Sequence, residues 1–283
     1  ILSKTQDYLL EKEFSVTELK TAFLSIETLD PCGRVYLNGS MIADTNSFDS
    51  FRTEITKYLQ LGKNELRIIV DPRAPEVLFN WHRQKDAYNG WFSGLVRIDF
   101  YNKSQITDME VSTLEVDEGQ VKCNIKANIT DDFAIKAYIK KIFPIKEKSE
   151  HLIGEFKATN GKINETLSFK ADLWSPDEAN LYAVRLEAID KSGNATDDAV
   201  CETGFRTICQ KGGKILLNGK PTVLTGALLM QFLPPHSETS ITHICPSTEQ
   251  VLWQELMVKR MNGNTMRIHI LGYGTNDARY ARI

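Results

Sequence analysis

The chain has 283 residues, 42% of them hydrophobic and 25% charged, a balance that fits a globular protein and excludes a disordered one. Its 34 basic and 37 acidic side chains leave a formal net charge of -3, so no polycationic surface exists to neutralise a phosphate backbone, which argues against nucleic acid as a partner. No run approaches the roughly 20 apolar residues of a membrane span, and ILSKTQDYLLEKEF lacks the basic start and apolar core of a signal peptide. The protein is therefore expected in the cytoplasm, or in the periplasm or outside the cell with its leader removed.

Up to about residue 205 the dominant hydrophobic period is two. In GRVYLNGSMIAD, Val35 and Leu37 alternate with polar neighbours, and Asn38-Gly39 supplies the left-handed pair that a tight hairpin needs. SFDSFRTEITKYLQLGKNELRIIVD ends with Leu66, Ile68 and Val70 on one face, after a turn at Gly62-Lys-Asn64. WFSGLVRIDFY reads as a further strand with aromatics at both ends. Residues 1–104 are thus predicted to form an antiparallel sandwich whose first strand or two lie before Ile1.

After the polar NKSQ stretch the pattern resets. MEVSTLEV, GQVKCNIKANI, AIKAYIKKIF, INETLSFKADL, YAVRLEAID and DAVCETGF are short strands with turn signals at the 8–12-residue spacing of an immunoglobulin-like sandwich. This places a second all-β domain at 105–206. Cys32, Cys123, Cys201, Cys209 and Cys245 are scattered without a CxxC pair, and their odd number leaves a thiol free, so no disulfide framework is indicated.

Beyond Arg206 the pattern changes again. LLNGKPTVLTGALL offers a turn and a near-continuous apolar run, as in a strand covered on both faces. MQFLPPHSETSITHICP has no usable period and reads as loop. In STEQVLWQELMVKRMNG, Ser247 and Gln250 form a capping box, Leu252, Leu256 and Met257 line one face, Lys259 and Arg260 occupy the last turn, and Gly263 is suited to the left-handed C-terminal cap. NTMRIHIL is a second strand, and DARYARI opens a second helix. Strand, loop, helix and strand make a βαβ unit with parallel strands, too small to close a barrel. Residues 207–283 are therefore expected to be an incomplete parallel layer or the start of a larger domain.

Ligands of parallel sheets bind at the carboxyl ends of the strands. Alternation puts Met266, Ile268 and Ile270 on one face of the second strand and Arg267 and His269 on the other, which in a barrel is inward. An inward arginine and histidine followed by GYGTND suit hydroxyls or a carboxylate through charge-assisted hydrogen bonds. The alternative is an arginine that pairs with a structural acid. His236, His243 and Cys245 match no zinc spacing, and no metal or cofactor is expected. Trp81, Trp91 and Phe92 offer stacking faces, but such aromatics more often plug the end of a sandwich. No GxSxG, HExxH or P-loop pattern occurs.

Several stretches together resemble glycoside hydrolase family 2, the β-galactosidase, β-glucuronidase and β-mannosidase group. RVYLNGSMIAD, FRTEITKYLQLGKNELRIIVD and GWFSGLVRIDF are similar to the family's jelly-roll sugar-binding domain in that order. LWSPDEANLY followed by GFRTI resembles the end of its immunoglobulin-like domain, and ILLNGKPTVLTG with MVKRMNGNTMRIH resembles the first two strands of its TIM barrel. The resemblance implies a mainly β chain: a jelly-roll-like sandwich, an immunoglobulin-like sandwich, then the first βαβ unit of an incomplete TIM barrel.

It further implies a retaining exo-glycosidase, β-galactosidase-like, acting on oligosaccharides or glycoconjugates, with homo-oligomerisation left open. In such enzymes two carboxylates about 5–5.5 Å apart serve as acid/base and nucleophile. The family draws both from later barrel strands, so no catalytic residue is expected before Ile283. Arg267, His269, Gln231 and Asp277 are the candidate substrate-binding residues. The family's Asn, His and Glu after the first barrel strand are replaced by Leu228, Met230 and Gln231, and His269 and Ile270 stand where it has Ser and His. These departures keep open a non-catalytic carbohydrate-binding or scaffold protein with a degenerate barrel.

Overall fold

The computed structural model describes residues 7–30, 32–45, 51–71, 91–102, 105–117, 119–131, 133–229 and 248–268. It is mainly β, with two sandwiches followed by a βαβ unit. The chain divides into two compact units, residues 1–100 with 224–283 and residues 101–223.

The first sandwich is built from β1 (Tyr8–Val16), β2 (Thr21–Asp30), β3 (Cys32–Leu37), β4 (Ser40–Thr45), β5 (Phe51–Glu54), β6 (Gly62–Asp71) and β7 (Trp91–Tyr101). One sheet has the order β1-β6-β3-β4 and the other β5-β2-β7. The predicted alternation holds: Leu66, Ile68 and Val70 are buried with Val35 and Leu37, and they meet Ala22, Leu24 and Ile26 from the facing sheet. Two strands, β1 and β2, precede the GRVYLNG hairpin within the described residues.

Asn38 and Gly39 both have positive φ, 49° and 81°, as the two-residue turn joining β3 to β4 requires. The Asn38 amide also does a second job. Its Nδ2 donates to Asn64 Oδ1 at 2.8 Å and to the Tyr58 carbonyl at 2.9 Å, while the Glu65 amide donates to its Oδ1 at 2.9 Å. Asn64, only 1% exposed, is bonded in turn to the Gln60 backbone at both ends of its amide. A buried side-chain amide is costly unless its donors and acceptors are met, and here each turn satisfies the other.

The second sandwich contains β8 (Ile106–Asp117), β9 (Gln120–Ile129), β10 (Ala134–Phe143), β11 (His151–Lys157), β12 (Lys162–Lys170), β13 (Leu181–Ile189) and β14 (Ala195–Thr203). Its sheets run β12-β9-β8 and β11-β10-β13-β14. β11 is the one strand of this sandwich that the sequence pattern missed. It is an edge strand, mostly exposed, and its pairing with β10 shifts register between Ala137 and Tyr138, so HLIGEFK carries no clean alternation. Between the sheets lie Val121, Cys123 and Ile125 of β9, Ile135 and Ala137 of β10, and Val184, Leu186 and Ala188 of β13. Burial pushes the Cys123 thiol up to about 11, so it behaves as a small apolar side chain. Cys123, Cys201 and Cys209 are all free thiols.

The LWSP and GFR stretches close this sandwich against each other. The Trp174 amide donates to the Phe205 carbonyl at 2.9 Å, and the Arg206 guanidinium lies 4.6 Å from the Trp174 ring. A Cβ on Gly204 would stand 2.6 Å from Trp174 Cδ1, so the indole fits only because residue 204 has no side chain. Phe205, fully buried, meets Phe169 edge-on at 5.2 Å and Tyr182 at 5.4 Å.

Next come β15 (Ile208–Lys211), β16 (Lys214–Leu217) and β17 (Lys220–Pro221), a small antiparallel sheet within the unit 101–223. Asn218-Gly219 repeats the device of Asn38-Gly39, with φ of 50° and 76°. Asn218 Oδ1 accepts from the Thr207 amide and its Nδ2 donates to the Trp174 carbonyl, each at 3.0 Å.

Candidate functional site

The last described elements are β18 (Gly226–Leu229), α1 (Thr248–Arg260) and β19 (Thr265–Ile268). β18 and β19 are parallel, as the strand-helix-strand order requires, with Gly226 opposite Thr265, Ala227 opposite Met266 and Leu228 opposite Arg267. Their amino ends are tied together. The Asn264 amide donates to the Thr225 carbonyl at 2.8 Å, and Asn264 Oδ1 accepts from the Thr225 amide at 2.9 Å. The strands approach so closely at this end that a Cβ on Gly226 would overlap the Thr265 carbonyl oxygen.

α1 ends in a Schellman motif, although not at the residue expected. The Gly263 amide donates to the Val258 carbonyl at 2.8 Å and the Asn262 amide to the Lys259 carbonyl at 2.9 Å. The left-handed residue is Asn262, with φ 58°, rather than Gly263. Gly263 is needed for space instead, since a Cβ there would lie 2.5 Å from Val258 Cγ1. Asn tolerates the left-handed region through local hydrogen bonding, so the cap falls one residue earlier in the chain. Lys259 and Arg260 do occupy the last turn, where they complement the helix dipole. The Ser247–Gln250 capping box lies outside the described side chains.

The expected apolar face of α1 is also corrected. Leu252 and Leu256 are 45% and 51% exposed, and Trp253 is exposed beside them. The buried residues are Val251, Gln254 and Val258. A two-strand layer is narrow and covers one stripe of a helix, and the steps from 251 to 254 and 258 follow that stripe. Beside it stands Glu255, half-buried, with Oε1 enclosed and without a hydrogen-bond partner. Burial pushes this carboxyl up to about 7.

On the strands, strict alternation places Leu228 and Arg267 together on one face and Ala227 and Met266 on the other. The Leu228–Arg267 pair is exposed, and Arg267 forms no ion pair among the described residues. This face therefore presents an aliphatic side chain beside a guanidinium that has no ion pair among the described residues, near the carboxyl ends of two parallel strands. Such a surface can hold the apolar face of a small ligand while donating charge-assisted hydrogen bonds to its oxygens. Of the expected site residues only Arg267 is described. His269, Gln231 and Asp277 lie outside the described residues, as do His236, His243, Cys245 and Trp81. Among the described residues no cluster of His, Cys, Asp and Glu is fit for a metal ion, and no helix is long and apolar enough to cross a membrane. Glu255 is the group that sequence reasoning missed, and the signal was available in its position four residues from Val251 and three from Val258.

Comparison with known proteins follows the same division of the chain. Residues 2–113 match the family model described as glycosyl hydrolase 2 galactose-binding domain-like, and residues 104–206 match that of glycosyl hydrolases family 2. The β-galactosidase of Priestia megaterium is 24% identical over 259 residues, covering 87% of this chain and 24% of that protein. The β-galactosidase of Clostridium acetobutylicum is 25% identical over 264 residues, covering 88% of this chain and 27% of that protein. The chain thus spans about a quarter of the length of these curated relatives. Among solved structures, Bifidobacterium dentium β-glucuronidase complexed with coumarin-3-O-glucuronide superposes with a TM-score of 0.74 at 17% identity. That match covers 99% of this chain and 51% of the other, and it shows the shared fold.

Proposed function

Because the chain belongs to glycoside hydrolase family 2, we propose that it forms the amino-terminal portion of a retaining exo-glycosidase. The enzyme would hydrolyse O-glycosidic bonds of oligosaccharides or glycoconjugates in the manner of a β-galactosidase. In this reading residues 1–104 form the jelly-roll domain, 105–206 the immunoglobulin-like domain and 207–283 the start of the catalytic barrel. The observation that carries it is the succession of two family domains, over residues 2–206, followed by a parallel βαβ unit.

The division of labour follows from chemistry. Retaining hydrolysis needs two carboxylates about 5–5.5 Å apart, one to protonate the leaving oxygen and one to attack the anomeric carbon. We place both on barrel strands that follow Ile283. Arg267, at the wall of the pocket, would donate to oxygens of the non-reducing sugar or to a neighbouring carboxylate, with His269, Gln231 and Asp277 completing that wall. Leu228 beside Arg267 supports an aliphatic wall against a ring face.

Two measurements test the reading. Residues 1–283 alone should release no nitrophenol from aryl β-galactosides or β-glucuronides, and measurable turnover would overturn the placement of the carboxylates. In the full-length protein, Arg267→Ala should lower kcat/KM by about tenfold to a hundredfold, the worth of a charge-assisted hydrogen bond of about 1.5–3 kcal/mol. The second reading, a carbohydrate-binding or scaffold protein, is favoured by Leu228 standing on the exposed face where the family has a polar residue. A full-length protein that binds such glycosides in calorimetry without hydrolysing them would establish it.

A further inference from the structure

We propose that Glu255 makes the packing of α1 on the parallel strand pair proton-dependent, so that the helix loosens as pH rises towards and through neutrality. The geometry carries this. Glu255 flanks the buried stripe of Val251, Gln254 and Val258, and its Oε1 is sealed from solvent without a donor. Among the described residues β18 and β19 contact α1, and no hydrogen bond or ion pair from either reaches Oε1. β18 is Gly226, Ala227, Leu228 and Leu229, with no titratable group. β19 contributes Arg267, which lies on the exposed face with Leu228, opposite the part-buried pair Ala227 and Met266. On α1 itself the other charged residues are Glu249, Lys259 and Arg260, and none of them bonds to the enclosed Oε1.

A carboxylate taken from water without a donor or a counter-charge disfavours its ionised form. Desolvation raises the Glu255 carboxyl to about 7 from an ordinary value of 4.5. The sign follows. Below the ordinary glutamate range the acid is neutral both docked and undocked, and the helix packs without penalty. As pH rises, the undocked carboxyl ionises first, so the packing advantage is lost progressively and is gone once pH passes about 7. Since β19 carries Arg267, the proposed pocket wall would share this dependence.

The test is hydrogen exchange of the full chain with amide protection factors compared between wild type and Glu255→Gln, which keeps the shape and removes the charge. For residues 248–260 the ratio of wild-type to variant protection should fall by about tenfold between about pH 5.5 and 7.5, a value discounted because the side chain is only part-buried. The ratio for β9 should stay constant and serves as the control for folding. A ratio for α1 that does not change with pH would overturn the proposal. Should the variant fail to fold, carboxyl-carbon NMR of the wild type decides alone. Titration of Glu255 near 7 supports the proposal, and titration at the free-glutamate value of about 4.3 sinks it.

Discussion

The second sandwich and the parallel βαβ unit have similar proportions of apolar residues and reach opposite ends. In the sandwich two sheets bury one another's inner faces, the polar groups of the closing loops are satisfied, and Phe205 seals the end. In the βαβ unit two strands cover one stripe of one helix. Leu252, Trp253, Leu256 and Leu228 remain exposed, and a carboxyl oxygen is buried without a partner. Apolar sequence produces a core only when a second layer is present to cover it. The same amphipathic logic that closes the sandwich leaves the parallel pair dependent on whatever else its faces meet.

That contrast can be broken by substitution. Phe205→Ala should cost the second sandwich about 3–5 kcal/mol, because it empties a fully buried aromatic site between Phe169 and Tyr182. Urea denaturation followed by far-ultraviolet circular dichroism reads this directly, and a loss under about 1 kcal/mol would show that the end is not a cooperative part of the core. Asn218→Ala should cost about 1–2 kcal/mol, since it removes the hydrogen bonds to Thr207 and Trp174 and puts alanine at positive φ. Its hydrogen-exchange signature should appear both in the 208–221 sheet and in the loop at Trp174, and exposure confined to the former would refute the clasp. Leu256→Gln, on the half-exposed stripe of α1, should change stability by no more than about 0.5 kcal/mol while reducing self-association in sizing chromatography. A large loss there would mean that the stripe is covered in solution.

The strands were legible because burial on one face imposes a period of two, and the hairpins because Asn-Gly is one of few pairs that accept positive φ twice. Thus β10 falls on AIKAYIKKIF residue for residue, while the edge strand β11, of which only Ile153 and Phe156 pack part-buried against the core, left no clear pattern. The parallel pairing of β18 and β19 followed from the helix between them. The errors collect on α1, where Leu252, Leu256 and Met257 look like the inner face to any periodicity argument and Val251, Gln254 and Val258 are the residues that pack. Two adjacent stripes of a helix can both look apolar, and the choice between them belongs to the partner surface.

The sequence alone therefore determined the succession of two sandwiches and a βαβ unit, the two turns at Asn38 and Asn218, the burial of alternate residues in the strands it identified and the kinship of the chain. Each of these depends on local backbone preferences or on a repeat that survives in one dimension. The tertiary structure decided what residues distant in sequence do to one another. It set Asn38 against Asn64, slid Trp174 over Gly204, moved the helix cap from Gly263 to Asn262, and enclosed one oxygen of Glu255 without a hydrogen-bond donor. Those outcomes rest on close approach and on desolvation, which depend on distances between segments that no periodicity encodes.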